Sequence, residues 1–336
     1  MSSLVQARTA TQLPGPIGFL LIPQFALMAL ASAIEPLRIA NRYLKVPYSW
    51  KLLSLDGAAV ADDNGIAIQP HCSIADAPEL GTVIICADIQ PDRYYSRALR
   101  AWLQKLNAAG TAMGALDTGC FVLARAGMLD GRRVTMHWEV VEAFRERFPR
   151  IVVAQTLYEI GAARLTCAGG TAAIDMMLSA IANDHGAELA NRVAEHCLHD
   201  RIRPGDAAQR MALATRSRIH HPALARAMVL LERTPVRVIG VPELAAHAAL
   251  SERQLLRLFA QFVGEGPAHY HRRLRLEHAR GLLRYTAISV TQAAVAVGFE
   301  SLAHFCRVYR QQYGQPPGAD RGPGVQARTL LRDSSI

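Results

Sequence analysis

From Ile17 onward, short apolar runs alternate with stretches in which apolar residues recur every third or fourth position. Continuous apolar runs suit strands buried on both faces, and the longer period suits helices with one buried stripe. Ile17–Ile22 is thus a predicted strand stopped by Pro23. Leu27–Leu44 is a predicted helix with Leu30, Ile34, Leu37 and Leu44 near one face. Further strands are expected at Tyr48–Leu55, Thr82–Cys86, Thr111–Leu116, Arg132–Trp138, Ile151–Ala154 and Arg164–Cys167. Helices are expected at Arg93–Ala109, from Gly119, at Thr171–Ala182 and at Ala187–Leu198. This alternation predicts a mostly parallel sheet with helices on both faces.

The pattern changes after residue 200. Residues 201–221 are rich in Arg, Gln, Ser, Pro and Gly, hold no period, and read as a linker. Beyond them only helical periods occur. The organisation expected is an α/β domain over 15–200, a linker over 201–221, an all-α domain over 222–321, and a disordered Gly/Pro/Ser tail over 322–336.

The helical part holds two helix-turn-helix patterns, Val241–Phe259 and Ser289–Arg310. Ser251 with Gln254, and Ser289 with Gln292, have the spacing of a capping box. In the first recognition helix Leu255, Leu258, Phe259 and Phe262 form the core stripe, leaving Arg253, Gln254 and Arg257 off it. In the second, which begins at Ser301, Phe305, Val308 and Tyr309 point inward and His304 and Arg307 outward. Gly298 sits at the turn, where a positive φ is often required. Gly266-Pro267 opens a helix between the two units, with Pro267 suited to the first helical position.

Charge supports a nucleic-acid role for this part. The net charge is +9, and residues 222–321 carry 13 Lys and Arg against 7 Asp and Glu, while residues 1–221 carry 22 against 20. A basic excess confined to the helical third is what contact with phosphates requires. Arg253, Gln254, Arg257, Ser301, His304 and Arg307 are the candidate DNA-binding residues. For each arginine, reading guanine in the major groove and contacting phosphate are both open. A basic helical bundle with no nucleic-acid role is the plainer alternative, which the tandem arrangement disfavours.

Six cysteines lie without CxxC spacing, which reads as free thiols in a reducing cytoplasm. No metal site and no cofactor are expected. Ile17–Ala33 imitates a secretory signal, ending in Ala31-Ser-Ala33, but Pro23-Gln24 interrupts it and only Arg8 flanks it. A buried strand and helix account for it better. No stretch is apolar enough to span a membrane.

Leu244-Ala245, Arg253-Gln-Leu255, Arg257-Leu-Phe259, Pro267, Arg275-Leu276, Gly298-Phe299, His304-Phe305 and Tyr313-Gly314 resemble the AraC/XylS family over about 80 residues. The resemblance implies two recognition helices in successive major grooves on one face of double-stranded DNA, roughly 34 Å apart. Ala249 departs from the pattern, since Gly is common at that turn. The closing segment Pro316–Arg321 is also unusual.

Upstream, Gly114–Trp138 holds a strand, a sharp turn at Asp117-Thr-Gly119 and a helix. That is an elbow of the kind that presents a nucleophile. It resembles the flavodoxin-like, class I glutamine amidotransferase-like (PfpI-type) fold, whose enzymes place Cys at the elbow and His beyond it. Here the elbow residue is Asp117, a poor substitute for a thiolate. Cys120 reads as a packing thiol. Ala29 stands where those enzymes place a supporting Glu, and Glu35 falls later.

Ala33–Arg42, Asp117-Thr-Gly119, His137-Trp-Glu139, Thr166–Ala173 with Asp175, and Asp184–Glu188 resemble the GlxA subgroup of AraC regulators. Members regulate catabolism of arginine, glycine betaine, carnitine and related nitrogen compounds. The resemblance implies a cytoplasmic, ligand-responsive activator of a catabolic operon, working with RNA polymerase and forming a homodimer. Its effector would meet Asp117, Thr118, His137 and Trp138, where a carboxylate and an aromatic face suit an ammonium or guanidinium group. His137 and Trp138 as core residues is the alternative. Tyr158 and Glu159 are weaker candidates, and Gly169-Gly170 offers either N–H donors or a plain turn. An amidase- or hydratase-like enzyme carrying a DNA-binding module is the competing function. A repressor or architectural binder is a third.

Overall fold

The computed structural model describes residues 13–161, 163–209, 221–234, 237–286 and 288–321. The chain divides into two compact units, 1–209 and 210–336. Expectations for residues 1–12, 210–220 and 322–336 lie outside the described residues.

The first unit opens with β1 (Ile17–Leu21), α1 (Leu27–Ala40), β2 (Trp50–Ser54) and the short strands β3 (Val60–Ala61), β4 (Ala67–Ile68) and β5 (Cys72–Ser73). There follow β6 (Thr82–Ala87), α2 (Arg97–Ala108), β7 (Ala112–Asp117), α3 (Gly119–Arg125), β8 (Arg133–Val134), α4 (Val141–Arg147) and β9 (Val152–Val153). The unit ends with β10 (Tyr158–Ile160), β11 (Arg164–Cys167), α5 (Ala172–His185) and α6 (Ala187–His196). Seven strands form one sheet in the order β10-β11-β7-β6-β1-β2-β5, parallel except for β10 against β11.

Every residue of β1, β6 and β7 is buried, so both faces of the sheet are covered. Phe19, Ile84 and Leu116 join a core with Leu30, Ala33 and Leu37 of α1 and Met176 and Ile181 of α5. Alternate positions Leu20, Ile85 and Ala115 are sealed as well. Apolar runs without polar interruption are what a doubly covered parallel sheet requires. Ile17–Ala33, which imitates a secretory signal, supplies a central strand and the first half of a core helix.

Three expectations change. The Arg132–Trp138 strand is only two residues long. It pairs with β9 alone; the Thr135 side chain then takes over from the ladder, and the chain turns into a 3₁₀ helix at Trp138–Val140. His137 therefore caps a turn and does not lie on a strand. Helix α4 and the edge strand β10 also appear where the sequence pattern suggested neither. Finally, the linker read from Arg201 starts later, since residues 201–209 dock on the first unit. The Gly205 carbonyl accepts from Leu157 N–H at 2.9 Å, and Tyr158 OH donates to the Arg203 carbonyl at 3.0 Å.

The second unit is helical throughout its described residues: α7 (Pro222–Arg233), α8 (Val241–Ala248), α9 (Glu252–Phe262), α10 (Pro267–Tyr285), α11 (Val290–Ala296) and α12 (Leu302–Tyr313), closed by a 3₁₀ turn at Pro317–Asp320. Leu224, Met228, Leu244, Leu255, Phe259 and Tyr270 form the core of its first half. The second half packs a chain of rings edge-on or tilted: Phe299 against Phe305, Phe305 against Tyr309, and Tyr309 against Tyr313. Phe262 departs from the expected stripe and is 40% exposed, because it lies at the end of α9 beside His221.

Candidate ligand site and candidate nucleic-acid interface

The elbow lies at the carboxyl end of the sheet, where open α/β folds bind their ligands. Asp117 is the last residue of β7, paired in register with Ala87 of β6. Its φ is +56°, a left-handed conformation that non-glycine residues seldom adopt. Gly119 permits the turn, because a Cβ there would stand 2.4 Å from the Ile85 carbonyl oxygen. Gly169, at φ +90°, closes over the same residue, and a Cβ there would stand 2.4 Å from Asp117 Oδ2.

Asp117 is buried, and its carboxyl is raised well above the usual range. Burial is the largest cause, followed by the charges of Asp88, Glu139 and Asp63. Burial also pushes the His137 imidazole down, while Glu139 pulls it up. Glu139 thus acts on both groups, which places the 137–139 turn beside the elbow. His137 and Trp138 are half-buried rather than sealed in the core, with ring centroids 5.4 Å apart. The site holds a carboxyl and an imidazole that burial biases toward their neutral forms, and an indole, with Asp63, Asp88 and Glu139 around them.

Thr118 is placed differently. It is fully buried, and its hydroxyl donates to the Asp88 carbonyl at 2.6 Å, so it shapes the elbow from below. Cys120 is fully buried, its thiol donating to the Thr135 carbonyl at 3.4 Å, and burial keeps it protonated. Glu35 sits on the exposed face of α1, paired with Arg38. Tyr158 and Glu159 are engaged elsewhere, Glu159 with Arg133 at 3.1 Å and Thr156 at 2.8 Å. Gly169 N–H is taken by the Cys167 sulfur, and the Gly169 and Gly170 carbonyls accept from Ala172 and Ala173, as in a plain turn.

In the second unit, Ser251 and Ser301 cap α9 and α12. Their hydroxyls accept from Gln254 N–H at 3.2 Å and from His304 N–H at 3.3 Å. Gln254 returns the bond, its Oε1 accepting from Ser251 N–H at 3.0 Å. Ser301 and the Gln254 carbonyl therefore serve helix initiation, a role that leaves the Gln254 amide nitrogen as its outward donor. Arg253, Arg257, His304 and Arg307 are all exposed. His304 is steadied edge-on by Phe299, with centroids 5.7 Å apart. An open cleft beside α12 is lined by Cys306, Arg307, Arg310, Gln311 and Pro316. Sequence reading had not singled out Arg310, although its position one turn beyond Arg307 was visible.

The turns differ in strain. Ala249 adopts φ +55°, where L residues pay a steric cost, whereas Gly298 at φ +75° does not. The closing segment is tied by Asp320, which is buried. It accepts from Tyr309 OH at 2.7 Å, Arg284 Nε at 2.9 Å and Arg280 Nε at 3.2 Å. Burial opposes its ionisation, but the bonds from Tyr309 and Arg284 outweigh that and hold its pKa below the ordinary value.

The description "Helix-turn-helix domain" matches residues 244–322. The HTH-type transcriptional regulator CdhR of Pseudomonas aeruginosa is 42% identical over 303 residues, covering 90% of this chain and 90% of that protein. The regulator GlxA of Rhizobium meliloti is 36% identical over 307 residues, covering 91% of this chain and 95% of that protein. A solved THiJ/PfpI family protein from Pseudomonas syringae aligns with a TM-score of 0.50 at 16% identity, over 81% of this chain and 97% of that one. At that identity the likeness concerns the fold alone.

Proposed function

This chain belongs to the AraC family of HTH-type transcriptional regulators that carry an amino-terminal PfpI-like domain, and on that premise we propose that it activates a catabolic operon in response to a small cationic nitrogen compound. The observation that carries the effector class is Asp117, a buried carboxyl raised in pKa with Asp63, Asp88 and Glu139 acting on it. The charges that act most on Asp117 are all negative. A quaternary ammonium or guanidinium group entering the site would favour the ionised carboxylate and gain a charge-assisted contact. Trp138 would offer a cation its ring face. Arginine, betaine and carnitine types meet this description.

Asp117, His137 and Trp138 are the effector contacts in this reading, and Thr118 positions the elbow. Arg253, Arg257, His304 and Arg307 meet DNA, with the Gln254 amide nitrogen as a further donor. The exposure of these four and the matched serine caps support it. The relatives are transcriptional regulators, and we read this chain as one without turnover. A carboxyl is a poor substitute for a thiolate at the elbow, and Cys120 is sealed with its thiol neutral. RNA polymerase and a second copy of the chain are the protein partners the reading requires.

Reporter induction in an Asp117→Ala strain tests the assignment. Loss of induction with unchanged DNA affinity is expected. Normal induction removes Asp117 from the effector site.

A further inference from the structure

The segment that leaves the first unit is fastened directly to the wall of the elbow site. Main-chain bonds at Gly205 steady its middle, the carbonyl accepting from Leu157 N–H at 2.9 Å, and side-chain anchors hold its two ends. Arg203 meets Asp175, which is fully buried, through Nη2 at 2.6 Å, Nε at 2.9 Å and its backbone N–H at 2.7 Å. His199 adds a contact to the same carboxylate at 2.8 Å. Arg203 Nη2 also donates to Thr171 Oγ1 at 3.0 Å, two residues beyond the glycine that closes over Asp117.

The second anchor is Gln209. Its Nε2 faces the Thr156 carbonyl at 2.7 Å, the Met136 carbonyl at 2.9 Å and Thr135 Oγ1 at 3.1 Å. Met136 immediately precedes His137. Thr135 is fully buried and joins several parts of the site. Its N–H donates to Thr166 Oγ1 at 2.9 Å, and its carbonyl accepts from Cys120, three residues past the elbow, at 3.4 Å.

The two anchors differ in kind. Arg203–Asp175 joins a half-buried guanidinium to a fully buried carboxylate, which would be left without its charge partner if Arg203 let go. Gln209 is finely balanced. Its amide nitrogen has two hydrogens for three acceptors, and its buried Oε1 meets no hydrogen-bond partner among the described residues. The gain from the donated bonds is offset by the carbonyl left unsatisfied, so the anchor is held weakly. It hangs on the peptide that leads into the effector turn.

We propose that residues 203–209 form a strap whose docking is controlled by the elbow site: Arg203 is its fixed hinge, and Gln209 is the latch that a ligand at the 137–139 turn sets or releases. The inference rests on the effector reading above. It supplies what that reading lacks, a physical route from the site to the chain that runs on through residues 210–221 into α7. A ligand acts through its differential affinity for the latched and unlatched arrangements, and by linkage the latch alters ligand affinity in return.

Hydrogen exchange on the full-length protein tests this, followed by mass spectrometry of peptides covering 198–209 and 134–140. The probes are glycine betaine, L-carnitine and L-arginine, each at millimolar concentration. In the wild type, a probe that slows exchange in 134–140 is expected to change exchange in 198–209 at least about threefold in either direction. In Gln209→Ala without probe, exchange in 198–209 should rise to the released level. Addition of the probe should then leave 198–209 unchanged while 134–140 still responds. Protection of 134–140 with no change in 198–209 overturns the strap and leaves the effector site standing. Unchanged exchange of 198–209 in Gln209→Ala, with the variant melting as the wild type does, overturns the latch without any ligand. Failure of all three probes to affect 134–140 removes the effector reading for these cations, and the strap's control with it.

Discussion

Arg257 and Arg307 occupy the same position on two matched helices: each is exposed, six residues beyond the serine whose hydroxyl caps its helix. Because cap and core positions repeat with the same spacing, both arginines leave the bundle in the same direction relative to their helix axes. Substituting either by Ala should relax base preference by about 1–3 kcal/mol at one position of its half-site. Arg310→Ala, at the cleft beside α12, should instead weaken binding to all sequences and lower the salt slope by about 1. Gel-shift titrations across salt concentrations against selected and scrambled DNA distinguish the two. A uniform loss in Arg257→Ala would reassign that residue to the phosphates.

The elbow carboxyl makes a pH-dependent prediction. Asp117 has a folded pKa raised above its unfolded value. Below the unfolded pKa of about 3.9 it is protonated in both states and contributes nothing. As pH rises from there toward the folded pKa, only the unfolded chain ionises, so stability falls by about 1.4 kcal/mol per pH unit until the folded pKa is reached. Asn tolerates a positive φ and cannot ionise. Asp117→Asn should therefore melt higher than wild type at pH 7 and alike near pH 4. Equal melting curves across the range would show that the carboxyl is not held neutral in the free protein.

Asp320 predicts the opposite slope. Its folded pKa is depressed, so its contribution is present above the unfolded value of about 3.9 and is lost as pH falls through the folded one. Asp320→Ala leaves the Tyr309 hydroxyl, Arg280 and Arg284 without their shared acceptor. Removing one partner of a buried ion pair costs about 3–5 kcal/mol. Since both arginines are about a third exposed, about 2–3 kcal/mol is expected here. Melting of the second unit at pH 7, with DNA affinity measured in parallel, checks it.

Ala249 predicts a gain. Its left-handed conformation costs roughly 1–2 kcal/mol, part of which Gly returns as unfolded-chain entropy. Ala249→Gly should stabilise the second unit by about 0.5–1 kcal/mol, a rise of a few degrees in its melting temperature. A fall would mean that the Ala249 methyl group packs productively at the turn.

The central strands and the recognition helices were legible because burial dictates their periods. Phe19, Ile84 and Leu116 alternate with equally apolar neighbours, and Leu255, Leu258 and Phe259 repeat at helical spacing. Asp117 was legible as an elbow because Gly119 follows it. His137 was misplaced on a strand, since Val134 and Met136 look like ladder residues while Thr135 binds through its side chain. Thr118 was taken as a ligand contact because exposure cannot be read from a turn. Residues 201–209 read as linker because their hold comes from long-range hydrogen bonds at three scattered residues, Arg203, Gly205 and Gln209, which leave no period in the chain.

The two sides of the elbow site are built to different tolerances. Asp117 ends a strand in which every residue is buried, so its backbone can open only when the sheet does. The facing side, residues 137–139, lies at the start of a single 3₁₀ turn and only a few residues past a two-residue strand. Residues 137–139 can therefore change in size and chemistry while the floor beneath stays the same. Variation on that side of the elbow would then cost little in foldability.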